Sequence, residues 1–365
     1  MADRTSIHHR DGRRRRALVV VVVALAAWWS LSIGGSSAWG AGEGTDSGAV
    51  SARERTTVWL PYWDRAAGMR SLRAHADRIG HLSPFWYQLS ANGRKIEAHG
   101  AAGDTDVLEL ARANGIEVVP TIANGWDRAR GRRLLATPGR RFLHARDLVK
   151  LVVDNGYDGL DVDYENLDPR DRARFTAFLR VLAMRMHAAD KRLTIAVPAY
   201  TNWFAEWRSA YDLKAIGGIV DEVRVMAYDQ HWSCGKAGPV GAADWVERVA
   251  DHAVTRVDPS KLVLGIPLYS YDWPLRRKGC ARSHTWTELQ RLRRPAQRRG
   301  WSATARTPWL AYGRGKARRI VWFENALSTR VKARIADEHG MRGVAFWRLG
   351  GEDPRTWDLL AEQLS

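Results

Sequence analysis

Short apolar runs alternate with longer amphipathic stretches along the chain from residue 57 onward. The runs are rich in β-branched and aromatic residues and almost continuously apolar, a pattern typical of parallel strands that are buried on both faces. The stretches 170–188, 245–255 and 327–339 place apolar residues at helical spacing. We predict eight strands, over residues 57–62, 81–88, 116–123, 159–165, 193–199, 222–228, 262–268 and 343–347.

Eight parallel strands that alternate with helices close naturally into a barrel. The sequence therefore predicts an α/β fold, a (β/α)8 TIM barrel, over residues 56–365. The connection after the seventh strand is too long for one loop and one helix. We interpret residues from about 271 to 320 as a small α+β insertion between strand 7 and helix 7.

The amino terminus has the pattern of an export signal. Arg10 and the arginines at 13–16 precede an apolar run over 17–33, and small residues follow it. The run is at the short limit for a membrane span, so residues 1–40 are either a cleaved signal peptide or a retained anchor. Residues 41–55 are predicted to be a flexible linker. We expect a monomer that is secreted or held at the cell surface, with membrane contact only through an uncleaved signal.

Positive charge is concentrated in the predicted insertion. The formal net charge of the chain is +17, and residues 271–320 carry fourteen Lys or Arg against Asp272 and Glu288, a net charge of +12. Such a patch suits an anionic polymer. The alternative is that a genome of high GC content enriches arginine throughout the protein. Nucleic-acid binding would rest on charge alone and conflicts with export, so we do not expect it. The eighteen tryptophans favour carbohydrate binding, because indole faces stack on sugar rings.

The fourth predicted strand carries the most informative motif, Asp158-Gly-Leu-Asp161-Val-Asp163-Tyr-Glu165. Because side chains alternate along a strand, Asp161, Asp163 and Glu165 share the face that points into the barrel. Neighbouring carboxylates repel each other, so at least one of the three keeps its proton near neutral pH. A protonated carboxyl beside a carboxylate is what a general acid requires. No histidine cluster accompanies the motif, and we expect neither a metal site nor a cofactor.

The motif resembles the DxxDxDxE signature of glycoside hydrolase family 18, the chitinase-like barrels. Met226-Ala-Tyr228-Asp229 is similar to the sixth-strand motif of that family, and Ala345-Phe346-Trp347 is similar to the end of its eighth strand. The resemblance extends over residues 57 to about 360. The segments 321–326 and 347–353 resemble the bacterial branch related to spore-cortex-lysing N-acetylglucosaminidases.

The resemblance implies a retaining hydrolysis in which the substrate's own acetamide group is the nucleophile. It implies that Glu165 protonates the glycosidic oxygen and later activates water. Asp163 would orient the acetamide and stabilise its positive charge, and Asp161 would share a proton beneath it. Tyr228 would donate a hydrogen bond to the acetamide oxygen, and Trp347 would form the apolar floor of the subsite that holds the cleaved sugar.

Other residues are expected near the substrate with less support. Met226 and Asp229 belong to the sixth-strand motif, although Met226 fits a core position equally well. Tyr62, Trp86 and Trp232 lie at or just after predicted strand ends, where the ligand loops of a barrel lie. Each of these aromatic residues either stacks on sugar or packs internally.

The chain has two cysteines, Cys234 and Cys280. An oxidising compartment outside the cytoplasm would let them form a disulfide between the loop after the sixth strand and the insertion. Two unrelated thiols are the alternative.

The favoured function is hydrolysis of β-1,4 bonds in a polysaccharide that contains N-acetylglucosamine, either peptidoglycan or chitin. Chitin is neutral whereas bacterial wall polymers are anionic, so the basic insertion favours the cell wall. The alternative is a non-catalytic lectin on the same barrel. Lectins of this type commonly lack the terminal glutamate, which is present here as Glu165.

Overall fold

The computed structural model describes residues 51–276 and 278–364. The predicted signal peptide or anchor at 1–40 and most of the predicted linker lie outside the described residues. Within the described ranges, no helix combines the length and the apolar character needed to cross a membrane.

The strands and α-helices follow one another in the alternation that the sequence pattern predicts. The strands are β1 (Thr56–Pro61), β2 (His81–Leu89), β3 (Ile96–Ala98), β4 (Glu117–Val118), β5 (Thr121–Ala123), β6 (Gly159–Asp163), β7 (Arg192–Pro198), β8 (Glu222–Met226), β9 (Leu262–Pro267), β10 (Ser270–Pro274), β11 (Arg282–His284), β12 (Arg298–Ser302), β13 (Thr307–Tyr312), β14 (Arg319–Phe323) and β15 (Gly343–Trp347). The α-helices are α1 (Arg65–His75), α2 (Thr105–Ala113), α3 (Arg128–Leu135), α4 (Pro138–Asp154), α5 (Arg172–His187), α6 (Trp203–Trp207), α7 (Leu213–Gly217), α8 (Ala243–Val254), α9 (Trp286–Arg293), α10 (Ala326–Glu338) and α11 (Thr356–Leu364).

Eight parallel strands close into a barrel in the order β1, β2, β5, β6, β7, β8, β9 and β15, and β15 pairs with β1 to complete the ring. The prediction of a (β/α)8 barrel is confirmed. The predicted run over 116–123 is divided into β4 and β5, with Pro120 between them. Proline has no N–H to donate to a sheet, so it interrupts the strand.

Alternation along the fourth barrel strand, β6, separates a polar interior face from an apolar exterior face. On β6, Leu160 and Val162 are fully buried against the surrounding helices, and they belong to the main apolar core. Helix α5 contributes Phe175, Phe178 and Leu182 to the same core, which lies between the barrel and the helices. Burial of these side chains stabilises the fold and leaves the other face of β6 for Asp161 and Asp163.

The predicted insertion forms a five-stranded antiparallel sheet in the order β11-β10-β14-β13-β12, with helix α9 packed on it. Leu289 of α9 joins Leu310, Val321 and Phe323 of the sheet in a small core of its own. The insertion lies between β9, the seventh barrel strand, and α10, and this part of the fold prediction is also confirmed.

Cys234 and Cys280 are joined in a disulfide in this structure. The bond connects the loop after β8 to the insertion, and the backbone N–H of Ala281 donates to the carbonyl of Ser233 beside it at 2.7 Å. Since both loops follow carboxyl-terminal strand ends, this link holds the insertion against the face of the barrel where strand-end side chains meet.

Candidate active site

A cleft of about 310 Å³ opens at the carboxyl-terminal end of the barrel. Its walls come from strand ends, from the loops that follow them and from the first strands of the insertion. The lining residues are Trp59, Trp63, Phe85, Trp126, Asp163, Glu165, Ala196, Met226, Tyr228, Asp229, Tyr269, Tyr271, Ser283, Trp347 and Arg348.

Most of the predicted site residues meet in this cleft. Six of them line it: Asp163, Glu165, Met226, Tyr228, Asp229 and Trp347. They come from three separate parts of the chain, which the closed barrel brings to one mouth. Their catalytic and binding roles stay predictions, but their convergence places acid, hydroxyl and aromatic groups around one cavity.

Asp161 lies below the cleft and is completely buried. Its Oδ1 accepts a hydrogen bond from Thr194 at 2.7 Å and an ion-pair contact from Arg224 at 3.3 Å. Its Oδ2 accepts from the hydroxyl of Thr121 at 2.9 Å and from the indole N–H of Trp59 at 3.0 Å. Four donors therefore occupy the two oxygens, and within the described residues Asp161 makes no hydrogen bond to Asp163. The expected proton sharing between these two carboxyls is not present in this arrangement.

Arg224 is the cation that makes this burial possible, and the sequence analysis did not single it out. Its side chain is 1% exposed and donates to Ser83 at 2.6 Å and to Glu222 at 2.7 Å, in addition to its contact with Asp161. Burial alone would raise the pKa of Glu222, but the charges of Arg224 and neighbouring basic groups hold it below its ordinary value. Arg224 lies two residues before Met226 on β8, so the two side chains share one face of the strand. Strand parity would therefore have predicted that Arg224 points into the barrel.

Asp163 has the opposite electrostatic environment. Its Oδ1 is buried and has no hydrogen-bond partner in the part of the chain that the structure describes. Burial, the nearby Glu165 and the nearby Asp161 together raise the pKa of Asp163 well above its ordinary value. Its protonated form is therefore favoured over that of an ordinary aspartate, and one of its buried oxygens has no partner among the described residues.

Glu165 follows the end of β6 and is positioned through its backbone. Its N–H donates to Oδ1 of Asn124 at 2.9 Å, and its carbonyl accepts from Nδ2 of the same side chain at 2.7 Å. The hydroxyl of Tyr211 donates to the carbonyl of Tyr164 at 2.5 Å. The predicted strand over 159–165 is thus two residues too long, and the buried amide of Asn124 replaces strand pairing at this position.

The Glu165 carboxyl is poised to exchange a proton near neutrality. Desolvation in the cleft and the negative charge of Asp229 raise its pKa to about 7. Asp229 accepts hydrogen bonds from the hydroxyls of Tyr269 and Tyr271, which partly offset the increase in its own pKa that desolvation causes. Neither tyrosine was predicted, because both belong to the segment that leads into the insertion.

The floor of the cleft is aromatic. The Trp347 ring lies 6.0 Å from that of Trp59 and 5.6 Å from that of Phe85, both edge to face. Met226 packs with Trp347 against the small apolar group at the top of the barrel interior. This surface offers a flat apolar face directly beside the carboxyl groups, as a sugar ring requires.

The prediction that Trp86 contacts substrate is wrong. Its side chain is 1% exposed and lies in the main core, with its ring 5.9 Å from that of Tyr157. On β2, Ser83 reaches Arg224 inside the barrel, so Phe85 points inward and Trp86 points outward. Phe85 therefore occupies the position in the cleft that we expected for Trp86.

Tyr62 and Trp232 lie outside the residues that line the cleft. Tyr62 stacks on His99 with ring centres 4.0 Å apart and meets Trp63 edge to face. Trp232 is exposed on the loop that carries Cys234. Their roles in binding stay predictions. Two other tryptophans that follow strand ends, Trp63 and Trp126, do line the cleft.

No group of three or more His, Cys, Asp or Glu within 51–276 and 278–364 is arranged to hold a metal ion. Three carboxyl groups, three tyrosines and an aromatic floor are among the described side chains that line the cleft, and one of the carboxyl groups, that of Glu165, has a pKa of about 7.

Comparison with known proteins connects this geometry to a family. Residues 59–352 match the model of glycosyl hydrolases family 18. The cortical fragment-lytic enzyme of Bacillus subtilis (strain 168) is 28% identical over 309 residues, which cover 81% of this chain and 70% of that protein. A chitinase from Chromobacterium violaceum ATCC 12472 has a TM-score of 0.77 at 27% identity, over 85% of this chain and 99% of its own. The spore cortex-lytic enzyme SleL of Bacillus cereus shares the fold, with a TM-score of 0.76 at 22% identity, over 85% of this chain and 74% of its own.

The pairing of Arg224 with Asp161 predicts a large effect on stability. Arg224→Met should lower the free energy of unfolding by about 3–5 kcal/mol, because it leaves Asp161 buried without its cation and removes one of the three described arginines that contact Glu222. Urea denaturation measures the change. Arg334→Met, which removes an exposed ion pair with Glu338, is the matched control and should cost less than about 1 kcal/mol. Equal effects of the two substitutions would contradict the role given to Arg224.

Proposed function

Because this chain belongs to glycosyl hydrolases family 18 and is a glycosidase, we propose that it cleaves β-1,4 bonds in a polysaccharide containing N-acetylglucosamine. The named activities of its relatives support this substrate class, since they include a cortical fragment-lytic enzyme and chitinases. The proposal goes further than family membership because it assigns a role to each group in the cleft.

One observation carries the proposal: Glu165, with a pKa of about 7, lies in the same cleft as Asp163, whose pKa is raised well above its ordinary value. A general acid works best when its pKa lies near the working pH, because it is then protonated often and still gives up its proton readily. Glu165 donates this proton to the glycosidic oxygen as the bond between that oxygen and the anomeric carbon breaks.

The nucleophile is the acetamide oxygen of the sugar itself, which forms a bond to the anomeric carbon on the face opposite the leaving group. Asp163 accepts the acetamide N–H, and the hydroxyl of Tyr228 donates to the acetamide oxygen, since both residues line the cleft. The Glu165 carboxylate then takes a proton from water, and the water oxygen opens the cyclic intermediate with retention of configuration. Holding the acetamide in place replaces a protein nucleophile with a neighbouring group at high effective concentration.

The favoured substrate is peptidoglycan, and chitin is the alternative. The insertion that supplies Tyr271 and Ser283 to the cleft is strongly basic, and peptidoglycan carries peptide carboxylates whereas chitin is neutral. The export pattern at the amino terminus supports a secreted or cell-surface location, where a wall substrate is found.

Glu165→Gln should reduce turnover by about 10²–10⁴-fold, the usual contribution of a general acid or base. The change keeps the size of the side chain and removes its proton transfer. Chromatography of the products from purified peptidoglycan and from chitin oligomers measures the loss. Glu247→Gln, on the exposed surface of α8, is the control and should be fully active. Full activity of the Glu165 variant would contradict its assignment, and a parent that binds these glycans without cleaving them would support a lectin.

The pH profile should depend on Asp229. In the parent, kcat/KM should fall as pH rises through about 7, because Glu165 loses the proton that it donates. Asp229→Asn removes a negative charge that raises the Glu165 pKa, so this fall should move to lower pH by about one unit. Initial rates on a soluble oligomer across the pH range measure the shift. Asp244→Asn, on the outer surface, should leave the profile unchanged, and a shift of the Asp229 variant toward higher pH would contradict the account.

A further inference from the structure

A second cavity, of about 260 Å³, lies in the insertion and shares no lining residue with the catalytic cleft. Its walls include Trp286, Trp301, Trp309 and Phe323. Trp301 is 43% exposed, and it presents part of its ring to solvent at the rim. A concave surface with this many aromatic faces is suited to stacking on a flat ligand or a sugar ring.

Cationic side chains complete the cavity, and none of the residues that line it is acidic. Arg293, Arg299 and Arg355 line it. Arg355 is already paired with Asp353 at 2.7 Å. In the described part of the chain Arg299 makes no ion pair, and Arg293 bonds only the neutral amide of Gln290 while its guanidinium lies over the Trp286 ring. Two guanidinium groups are therefore available to a ligand that carries negative charge.

The wall of the cavity depends on a close approach that only glycine permits. Gly300 on β12 pairs with Trp309 on β13, and a Cβ atom at position 300 would lie 2.9 Å from the Trp309 ring. The Trp309 ring lies against the backbone of Gly300 on one face of the sheet, and the side chains of Arg299 and Trp301 point to the other face. The strand pairing thus places Arg299 and Trp301 on the face that Leu310 shares with helix α9.

The order of strands separates this cavity from the cleft. Tyr271 on β10 and Ser283 on β11 border the cleft at one edge of the insertion sheet, whereas the cavity is built at the other edge, on β12 and β13. Three strand spacings, about 14 Å, lie between β10 and β12. One polymer is long enough to occupy both places at once.

We propose that this cavity, which we call the tryptophan–arginine pocket, binds an anionic saccharide unit of the polymer that the cleft cleaves. The sugar ring lies against Trp301, and Arg293 and Arg299 bind a carboxylate or phosphate group that the sugar carries. The ligand assignment rests on the proposed function. The pocket gives part of the insertion's positive charge a defined position beside aromatic rings, which a count of charged residues does not provide.

The test compares two variants of equal charge in the full chain. Arg293→Ser with Arg299→Ser removes two guanidinium groups from the pocket, and Arg291→Ser with Arg294→Ser removes two from outside it. Trp301→Ala removes the exposed ring. Binding is measured by depletion from solution with insoluble peptidoglycan freed of teichoic acid, with isolated teichoic acid, and with chitin. Turnover of a short neutral N-acetylglucosamine oligomer is measured for every variant.

The pocket pair and Trp301→Ala should each weaken binding to an anionic polymer by about tenfold or more, as hot-spot arginines and tryptophans do. The control pair should lose less than about threefold, since salt screens its more distant charge. Selective loss on teichoic-acid-free peptidoglycan identifies carboxylate as the anion, and selective loss on teichoic acid identifies phosphate.

Equal losses in the two arginine pairs would show a diffuse charge effect and overturn the pocket, as would unchanged binding in all variants or an equal loss on neutral chitin. Oligomer turnover should be the same in all of them. A parent that binds wall polymer through the pocket but does not cleave the oligomer would refute the proposed function and leave the pocket standing.

Discussion

Burying three carboxyl groups one behind another inside a barrel is the constraint on which the rest of this structure depends. Isolated carboxylates cannot be removed from water without a large cost, and neighbouring ones also repel each other. The chain meets this constraint at the deepest position with Arg224, which contacts Asp161 and Glu222 and hydrogen-bonds Ser83. Trp59, Thr121 and Thr194 complete the set of donors to Asp161. The lower barrel is therefore a satisfied polar column rather than an apolar core.

The hydrogen-bonding capacity that is filled at Asp161 is left partly unfilled at Asp163, one step higher in the barrel. Among the described residues, no basic side chain forms an ion pair with Asp163. Burial and the neighbouring Glu165 and Asp161 raise its pKa well above the ordinary value, and its Oδ1 has no hydrogen-bond partner there. Glu165 is one step nearer to solvent, and desolvation and the negative charge of Asp229 raise its pKa to about 7. The two upper carboxyl groups of the row therefore both have raised pKa values, whereas Asp161 below them is held by four donors. This arrangement costs stability and leaves a titrating carboxyl at the mouth of the cleft, where the proposed hydrolysis requires a proton donor.

The alternation of apolar runs with amphipathic stretches let the sequence predict the barrel, and the length of the connection after the seventh strand predicted the insertion. Alternation of side chains along a strand predicted the direction of Asp161, Asp163 and Glu165. The same rule applied to β2 and β8 would also have given Phe85 and Arg224, and the choice of Trp86 failed because it weighed residue type without strand parity. Other features were beyond reach because they depend on contacts between distant segments. Asn124 holds the backbone of Glu165 across 41 residues, and Tyr269 reaches Asp229 across 40. The tryptophan–arginine pocket likewise needs the β12–β13 register, which no local pattern specifies.

The raised pKa of Asp163 in the free protein is the central claim, and it can be measured directly. Carbon-13 labelling of aspartate side chains allows each carboxyl resonance to be followed by NMR between about pH 4 and pH 9, and Asp163→Asn identifies the resonance of interest. The account predicts that this carboxyl ionises at a pH well above the ordinary range of aspartate. A carboxyl that is already ionised near the ordinary aspartate pKa of about 4 would contradict it.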